Sequence, residues 1–245
     1  MDRMILCPGS DLSRRDTTHV KAAYLAQLPL DARPGSRGWV HRALRLRVAE
    51  SGRDRALAAR IVRERHYLAP AWPVRPRTLI LSYVADLAGV QPGPAGCAAM
   101  VMIALVPGRY HALKALDVAP YEAPVLVRSW RADDLGPDLA PDFMPEVLRR
   151  IVKGERSRGP LRGMRDEWIA RKCREGGLRA PPRLLVTYAD PGVGHDGALY
   201  RAAGARFCGP GAGGKLLYGW ALDPALAEPL RQLEAAAQER AAPPA

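Results

Sequence analysis

The chain has 245 residues and a formal net charge of +12, from 37 Lys and Arg against 25 Asp and Glu. Hydrophobic residues make up 48% of it, enough for one sizeable core, and the length suits one domain rather than two large ones. There is no apolar run of about 18 residues, no apolar stretch before a small-residue cleavage site, and no CxxC spacing among Cys7, Cys97, Cys173 and Cys208, which argues against a membrane span, a signal peptide, a zinc ribbon or a disulfide framework and for a reducing cytoplasm.

In chain order, residues 1–35 read as an N-terminal extension with a short helix near 21–27. The segment RDRALAARIVRERHY, 53–67, places Leu57, Ile61 and Val62 at helical spacing between Arg and Glu, so it predicts an amphipathic helix stopped before Pro70. Strands are predicted at 78–84 (TLILSYV) and 96–106 (GCAAMVMIALV), the second apolar enough to be buried, with a turn between them. A third strand, 124–130 (PVLVRSW), carries Arg128 among apolar neighbours. Helices follow at 143–153 and 162–174, then a strand at 183–188 (RLLVTY). A short helix at 197–203 is stopped by Gly204, and strands come at 206–208 and 215–222. The tail from Pro224 is Ala-rich and reads as helical, fraying at the end. The order predicts one α/β (α+β) domain over 36–223 with antiparallel hairpins first and a strand–helix–strand unit late, followed by a 224–245 tail. Regular alternation and a GxGxxG are both lacking, which excludes a doubly wound dinucleotide fold.

The positive charge is clustered. Residues 37–77 hold eleven Arg against three acids, and 149–183 hold twelve Lys or Arg against four, so each segment is +8. If the fold brings them together they form one basic face, and an anionic partner, nucleic acid first, is expected. Arg63, Arg65, Arg156, Arg158, Arg162 and Arg165 are the candidate phosphate contacts. The bland alternative is a solvated surface in which codon bias supplies Arg, since 32 of the 37 basic residues are Arg.

Residues 184–209, LLVTYADPGVGHDGALYRAAGARFCG, carry the chemistry. A buried strand ends at Tyr188, Asp190 follows, and a turn with Gly192, Gly194 and Gly197 leads into a helix bearing Tyr200. Gly192 and Gly194 allow close approach of backbone to a ligand, or serve only a tight turn. His195 is read as a cap of the helix turn. The segment GALYRAAGARF resembles the late helix and strand of the GNAT acyltransferase superfamily. The longer block YADPGVGHDGALY, with Arg65-His66-Tyr67-Leu68 and Val127-Arg128-Ser129-Trp130, resembles the Mom family of phage DNA-modification proteins, a divergent GNAT branch, over roughly residues 55–220. Two features of those families are missing: an Asn-x-x-Ser-type segment after the central strand, where this chain reads DDLGPDLAPDFMPEV, and the glycine-rich pyrophosphate loop.

The resemblance implies a central mixed, mostly antiparallel sheet flanked by helices, and an active site of His66, Tyr67, Arg128, Asp190 and Tyr200. Within it, Tyr200 would protonate a leaving CoA thiolate, and Tyr188, Gly192 and Gly194 would hold the cofactor, acetyl-CoA or another acyl-CoA. It also implies iron, with His66 and Tyr67 as ligands; their spacing alone does not define a metal site. Arg128, buried in a strand, needs a partner, and Asp190 is the candidate. The expected activity is conversion of adenine at N6 in DNA to a carbamoylmethyl (acetamido) derivative that blocks restriction enzymes, with the base flipped or single-stranded. Two alternatives stay open: an ordinary N-acetyltransferase of a protein or small amine, and a non-catalytic DNA-binding protein on a degenerate GNAT fold. The expected partners are DNA and a CoA-type cofactor, without a membrane; a homodimer is left open. The expected compartment is the cytoplasm, that of the host if a phage encodes the chain.

Overall fold

The computed structural model describes residues 43–65, 80–87, 97–105, 111–132, 140–153 and 180–241, with positions 40, 171, 174 and 175. Seven strands form one sheet: β1 (Leu44–Val48), β2 (Ile80–Leu87), β3 (Ala99–Ala104), β4 (Val125–Arg131), β5 (Leu184–Ala189), β6 (Arg206–Pro210) and β7 (Leu216–Ala221). Their order is β1-β2-β3-β4-β5-β7-β6. Neighbours are antiparallel except for β4 and β5, which run parallel. Among the described residues five helices flank the sheet: α1 (Gly52–Arg65), α2 (His111–Ala115), α3 (Ala140–Lys153), α4 (Ala198–Ala202) and α5 (Ala227–Ala241). This is the mixed, mostly antiparallel sheet with flanking helices that the resemblance to the GNAT superfamily implies.

The alternation of side chains decides what each face carries. All six residues of β3 are buried, because helices cover both sides of it. Val101 and Ile103 enter one core with Phe143, Val147, Leu148 and Ile151 of α3 and with Tyr200, Tyr218 and Trp220. Met100 and Met102 point the other way, into a core with Ala58, Ile61 and Val62 of α1. Under β5, β6 and β7 that second face is closed by α2 and by α5 through Leu230. Residues 227–241, read from sequence as a tail, therefore pack as a helix with Leu230 and Ala237 buried.

Two elements were not anticipated. β1 reads LRLRV, a period-two pattern of apolar and charged residues that pairs along all five positions with β2. Leu44 is buried and Leu46 and Val48 pack on the core, while Arg47 ion-pairs with Asp54 at 3.0 Å and with Asp86. α2 spans five residues, too short to show helical periodicity in sequence. Among the described residues, no helix is long and apolar enough to cross a membrane.

A buried carboxylate ties α3 to the sheet. Glu146 accepts from Arg149 Nε at 3.1 Å and from Arg150 Nε at 3.0 Å, and Arg150 Nη1 donates to the Leu44 carbonyl of β1 at 3.1 Å. Glu146 and Arg150 are 8% and 7% exposed, so this pairing sits in low dielectric and holds α3 across the first strand.

Candidate functional site

The parallel ladder is short. β4 and β5 pair only at Val125–Val186 and Leu126–Thr187, with the Thr187 hydroxyl donating to the Leu126 carbonyl at 3.1 Å. Past that point β4 stays paired with β3 as far as Arg131, while β5 pairs with β7. The two strands part toward their carboxyl ends, the place where open sheets take ligands. A cleft of about 440 Å³ lies there, lined by Ser129 and Arg131 at the end of β4, Met144 of α3, the 194–197 turn and Tyr200.

The turn is built by its own side chains. Asp190 Oδ1 accepts from Gly192 N at 3.1 Å, and the Asp190 carbonyl accepts from Val193 N and His195 N at 3.1 and 3.0 Å. The N-cap of α4 is Gly197, and Asp196 just before it, not His195, takes up a helix N–H: its Oδ1 accepts from Ala198 N at 2.8 Å. That backbone hydrogen bond, with Arg201 nearby, holds the Asp196 carboxyl below the usual range. His195 instead lines the cleft. Arg201 Nη1 donates to the Asp196 carbonyl at 2.8 Å and to Tyr218 Oη at 2.7 Å, and Tyr218 Oη donates to the same carbonyl at 2.9 Å. Burial raises the Tyr218 phenol above its ordinary range, against the pull of Arg201, so it stays a neutral donor. Gly197 has φ +81°, and a Cβ there would lie 2.2 Å from the Tyr218 ring, so only glycine lets the turn sit on that ring.

Tyr200 is 8% exposed yet borders the cleft. Its ring is fixed between Tyr218, with centroids 5.8 Å apart, and Trp220, edge-on at 5.9 Å. Trp220 is itself anchored by its indole N–H on the Ala203 carbonyl at 3.2 Å. Among the described residues no hydrogen bond is made by the Tyr200 hydroxyl. A positioned phenol at the wall of a cleft can donate a proton or a hydrogen bond to a negative charge developing there.

The structure gathers only part of the predicted constellation. Tyr200 and Gly194 meet in the cleft; Gly192 lies one turn back, in the Asp190 cap. Tyr188 is on the opposite face, packed on the core under α2 and α5 and against Gly211, where a Cβ would come within 2.6 Å of its ring. Asp190 is not the partner of Arg128: its Oδ2 faces Lys215 Nζ at 3.6 Å, and Arg128 Nη1 donates to the Val127 carbonyl at 2.6 Å. A bulge in β4 explains the misplacement. The register slips between Met102 and Ile103, so Val127 and Arg128 share one step opposite Met102 and Arg128 turns to the α1 face, away from Tyr200. Sequence reasoning missed Ser129, Arg131, Met144 and Asp196; only Asp196, two residues before the helix, carries a local signal, that of an Asx cap.

The described parts of the two basic segments lie on different faces. Arg63 is exposed on α1, whereas Arg149 and Lys153 belong to α3 on the other side of the sheet. Arg65 ends α1. His66, Tyr67, Arg156, Arg158, Arg162 and Arg165 lie outside the described residues, as does the helix predicted at 162–174 apart from Arg171 and Arg174. Among the described residues no three His, Cys, Asp or Glu side chains converge as metal ligands.

No family model matches the chain, and no curated protein matches it significantly. Among solved structures it is similar to a "putative acetyltransferase" from Sphaerobacter thermophilus, at 14% identity over 75% of this chain and 94% of that one, with a TM-score of 0.36.

Proposed function

We propose that the chain is a GNAT-like transferase that modifies DNA, acting on adenine at N6, with a carbamoylmethyl or an N-acyl adenine as its product according to the donor. The observation that carries the reading is Tyr200: an aromatic-clamped phenol bordering a cleft where two parallel strands part. The net charge of +12 supports a polyanionic substrate. A CoA-type donor would supply an activated carbon on a thiol leaving group. The extended pantetheine amides of such a donor suit the gap beyond Leu126 and Thr187, where β4 and β5 no longer pair with each other. With a thioester of that class bound, Tyr200 would give its proton to the thiol leaving group, and the base amine, which takes the acyl carbon, would lose a proton to solvent. Transfer from a thioester carbonyl gives an N-acyl adenine. Bonding through CH₂ requires a donor of another class, so the product mass identifies the donor.

Nucleosides from the DNA of cells expressing the chain test this by mass spectrometry. A new adenosine, heavier by a carbamoylmethyl or an acyl group, is expected. Canonical nucleosides alone, from cells holding soluble protein, would overturn it. A second reading, an N-acetyltransferase of protein or small amines, is favoured by one observation. Several surface arginines are already neutralised, Arg47 by Asp54 and Asp86 and Arg183 by Asp223 at 3.0 Å, and are less free for phosphates. Acetylated amines beside unmodified DNA in the same cells would select it, and DNA retention without either product would mark a binding protein.

A further inference from the structure

A second cleft, of about 330 Å³, opens at the other end of the groove between α3 and α4, and no acidic side chain lines it. Five cations converge on it from four elements: Arg149 and Lys153 of α3, Arg201 of α4, Arg206 of β6 and Arg231 of α5. Four of them are held by carboxylates outside the cleft: Arg149 by Glu146 at 3.1 Å, Arg201 by Asp196 at 3.2 Å, Arg206 by Glu234 at 2.9 Å, and Arg231 by Glu228. Each of these guanidiniums keeps nitrogens not engaged by its carboxylate, and a guanidinium already fixed in place loses little freedom on meeting a ligand. Lys153 is exposed and has no ion pair among the described residues. Arg149 Nη1 donates to the Ala202 carbonyl at 3.2 Å, but Arg149 Nη2 is buried with no hydrogen-bond partner. A buried charged donor left unmatched is costly, and a small turn of the Arg149 fork toward the cleft would let an oxyanion match it.

We propose that this cleft grips a backbone phosphate of the nucleic-acid strand whose base enters the Tyr200 cleft. The assignment rests on the DNA-modifying reading and adds to it where the strand is held. The two clefts share α3 and α4, with Tyr200 and Arg201 consecutive on α4; the first opens under these helices, and the second lies where they meet the first turn of α5. Along α3, Met144 borders the first cleft and Lys153 the second. Nine residues of helix span about 13 Å, or about four steps at the 3.4 Å rise of one DNA strand. An extruded base needs the backbone beside it anchored while unstacking costs a few kcal/mol. Arginine forks suit a phosphodiester's paired oxygens, and the acid-free lining does not repel it.

The test is a fluorescence-anisotropy titration of the full chain with duplex DNA over a range of salt. The double variant Lys153→Ala with Arg231→Ala removes two exposed cations and keeps the core. Its slope of log K against log salt should be shallower than wild type by about 0.9 per lost phosphate contact, at an unchanged melting temperature. Arg149→Gln should weaken binding in the same direction. Lys114→Ala, the loss of one exposed charge on α2 at the opposite face, should leave the slope alone. A wild type that binds DNA, with a double variant of unchanged slope, overturns the cleft and leaves the DNA-modifying reading standing. A wild type that does not bind DNA even at low salt removes that reading. If inorganic phosphate then raises the melting temperature of wild type and not of the double variant, the cleft serves a small phosphate ester, and the strand grip is overturned with it.

Discussion

The two faces of the sheet differ in how their cores are divided. Under α3 and α4 a single cluster runs from Val40 and Leu44 to Trp220 and Leu222, without a break along the strands. The face under α1, α2 and α5 carries two smaller clusters, with Val127 packed against both. The Tyr200 cleft opens on the undivided face, and the second lies at its margin, between α3, α4 and the first turn of α5. A continuous core gives a stiff floor, and a stiff floor would keep the groups of the proposed sites in place without ordering them at each turnover. The divided face, with Arg47 bridging β1, β2 and α1 through Asp54 and Asp86, serves cohesion instead.

Breaking the undivided face at its chemistry should have the largest effect. Tyr200→Phe keeps the ring between Tyr218 and Trp220 and removes an oxygen that makes no hydrogen bond among the described residues. Turnover should fall roughly 10²–10⁴-fold, the range for a positioned general acid, with an unchanged melting temperature and unchanged DNA affinity. Full turnover in the variant would make Tyr200 a core residue only. Next in size is Glu146→Ala. It strands two guanidiniums, one of them in the core, and should cost about 3–5 kcal/mol in a denaturant titration. A loss under about 1 kcal/mol, the worth of an exposed pair, would show that water reaches the site.

Gly197→Ala addresses the turn alone. It forces a Cβ into the left-handed region and onto the Tyr218 ring, and about 2–4 kcal/mol should be lost. Stability equal to wild type would mean that the turn moves freely off Tyr218.

The smallest effect sharpens the comparison from the divided face, where Cys97 and Cys208 are buried, one in each small cluster. Burial pushes both thiols up to about 12 from an ordinary value of 9.0. The unfolded chain therefore releases these protons near pH 9.0, while the folded chain keeps them until about pH 12. The native state binds more protons in that window, so stability is fully present below pH 9.0 and is lost as pH rises toward about 12. Replacing both by Ala should flatten the fall of melting temperature with alkali; a slope identical to wild type would place its origin elsewhere, in groups such as Tyr218.

What could be read in advance follows from how local each signal is. β3, β5, β7 and α4 were legible because their apolar runs and the glycine stop at Gly204 are contained in a few consecutive residues. β1 was equally legible in principle, but its alternating Arg residues were counted as charge rather than as a strand pattern. The side to which Arg128 turns was not legible, since a bulge exists only relative to the partner strand. Nor was the pairing of Asp190 with Lys215, which depends on β5 and β7 lying side by side. Tyr200 was found because its helix and its stop sit within one short block. Ser129, Arg131 and Met144 become part of the site only where β4 ends against α3 and the turn.

The brevity of the β4–β5 ladder bears on how the chain reaches this structure. Strands β1 to β4 form a meander in sequence order, and β5 to β7 form a compact antiparallel unit of their own within residues 184–221. Only two residue pairs of parallel ladder join the two groups. Contacts inside each group close short loops, which form early, while the junction must close the long stretch from β4 to β5. The parallel ladder should be the last part of the sheet to form and its amides the first of the sheet to exchange, while the unbroken core under α3 and α4 holds the two groups together. The ligand cleft lies at that junction, so a bound ligand acts as a clasp between the two halves.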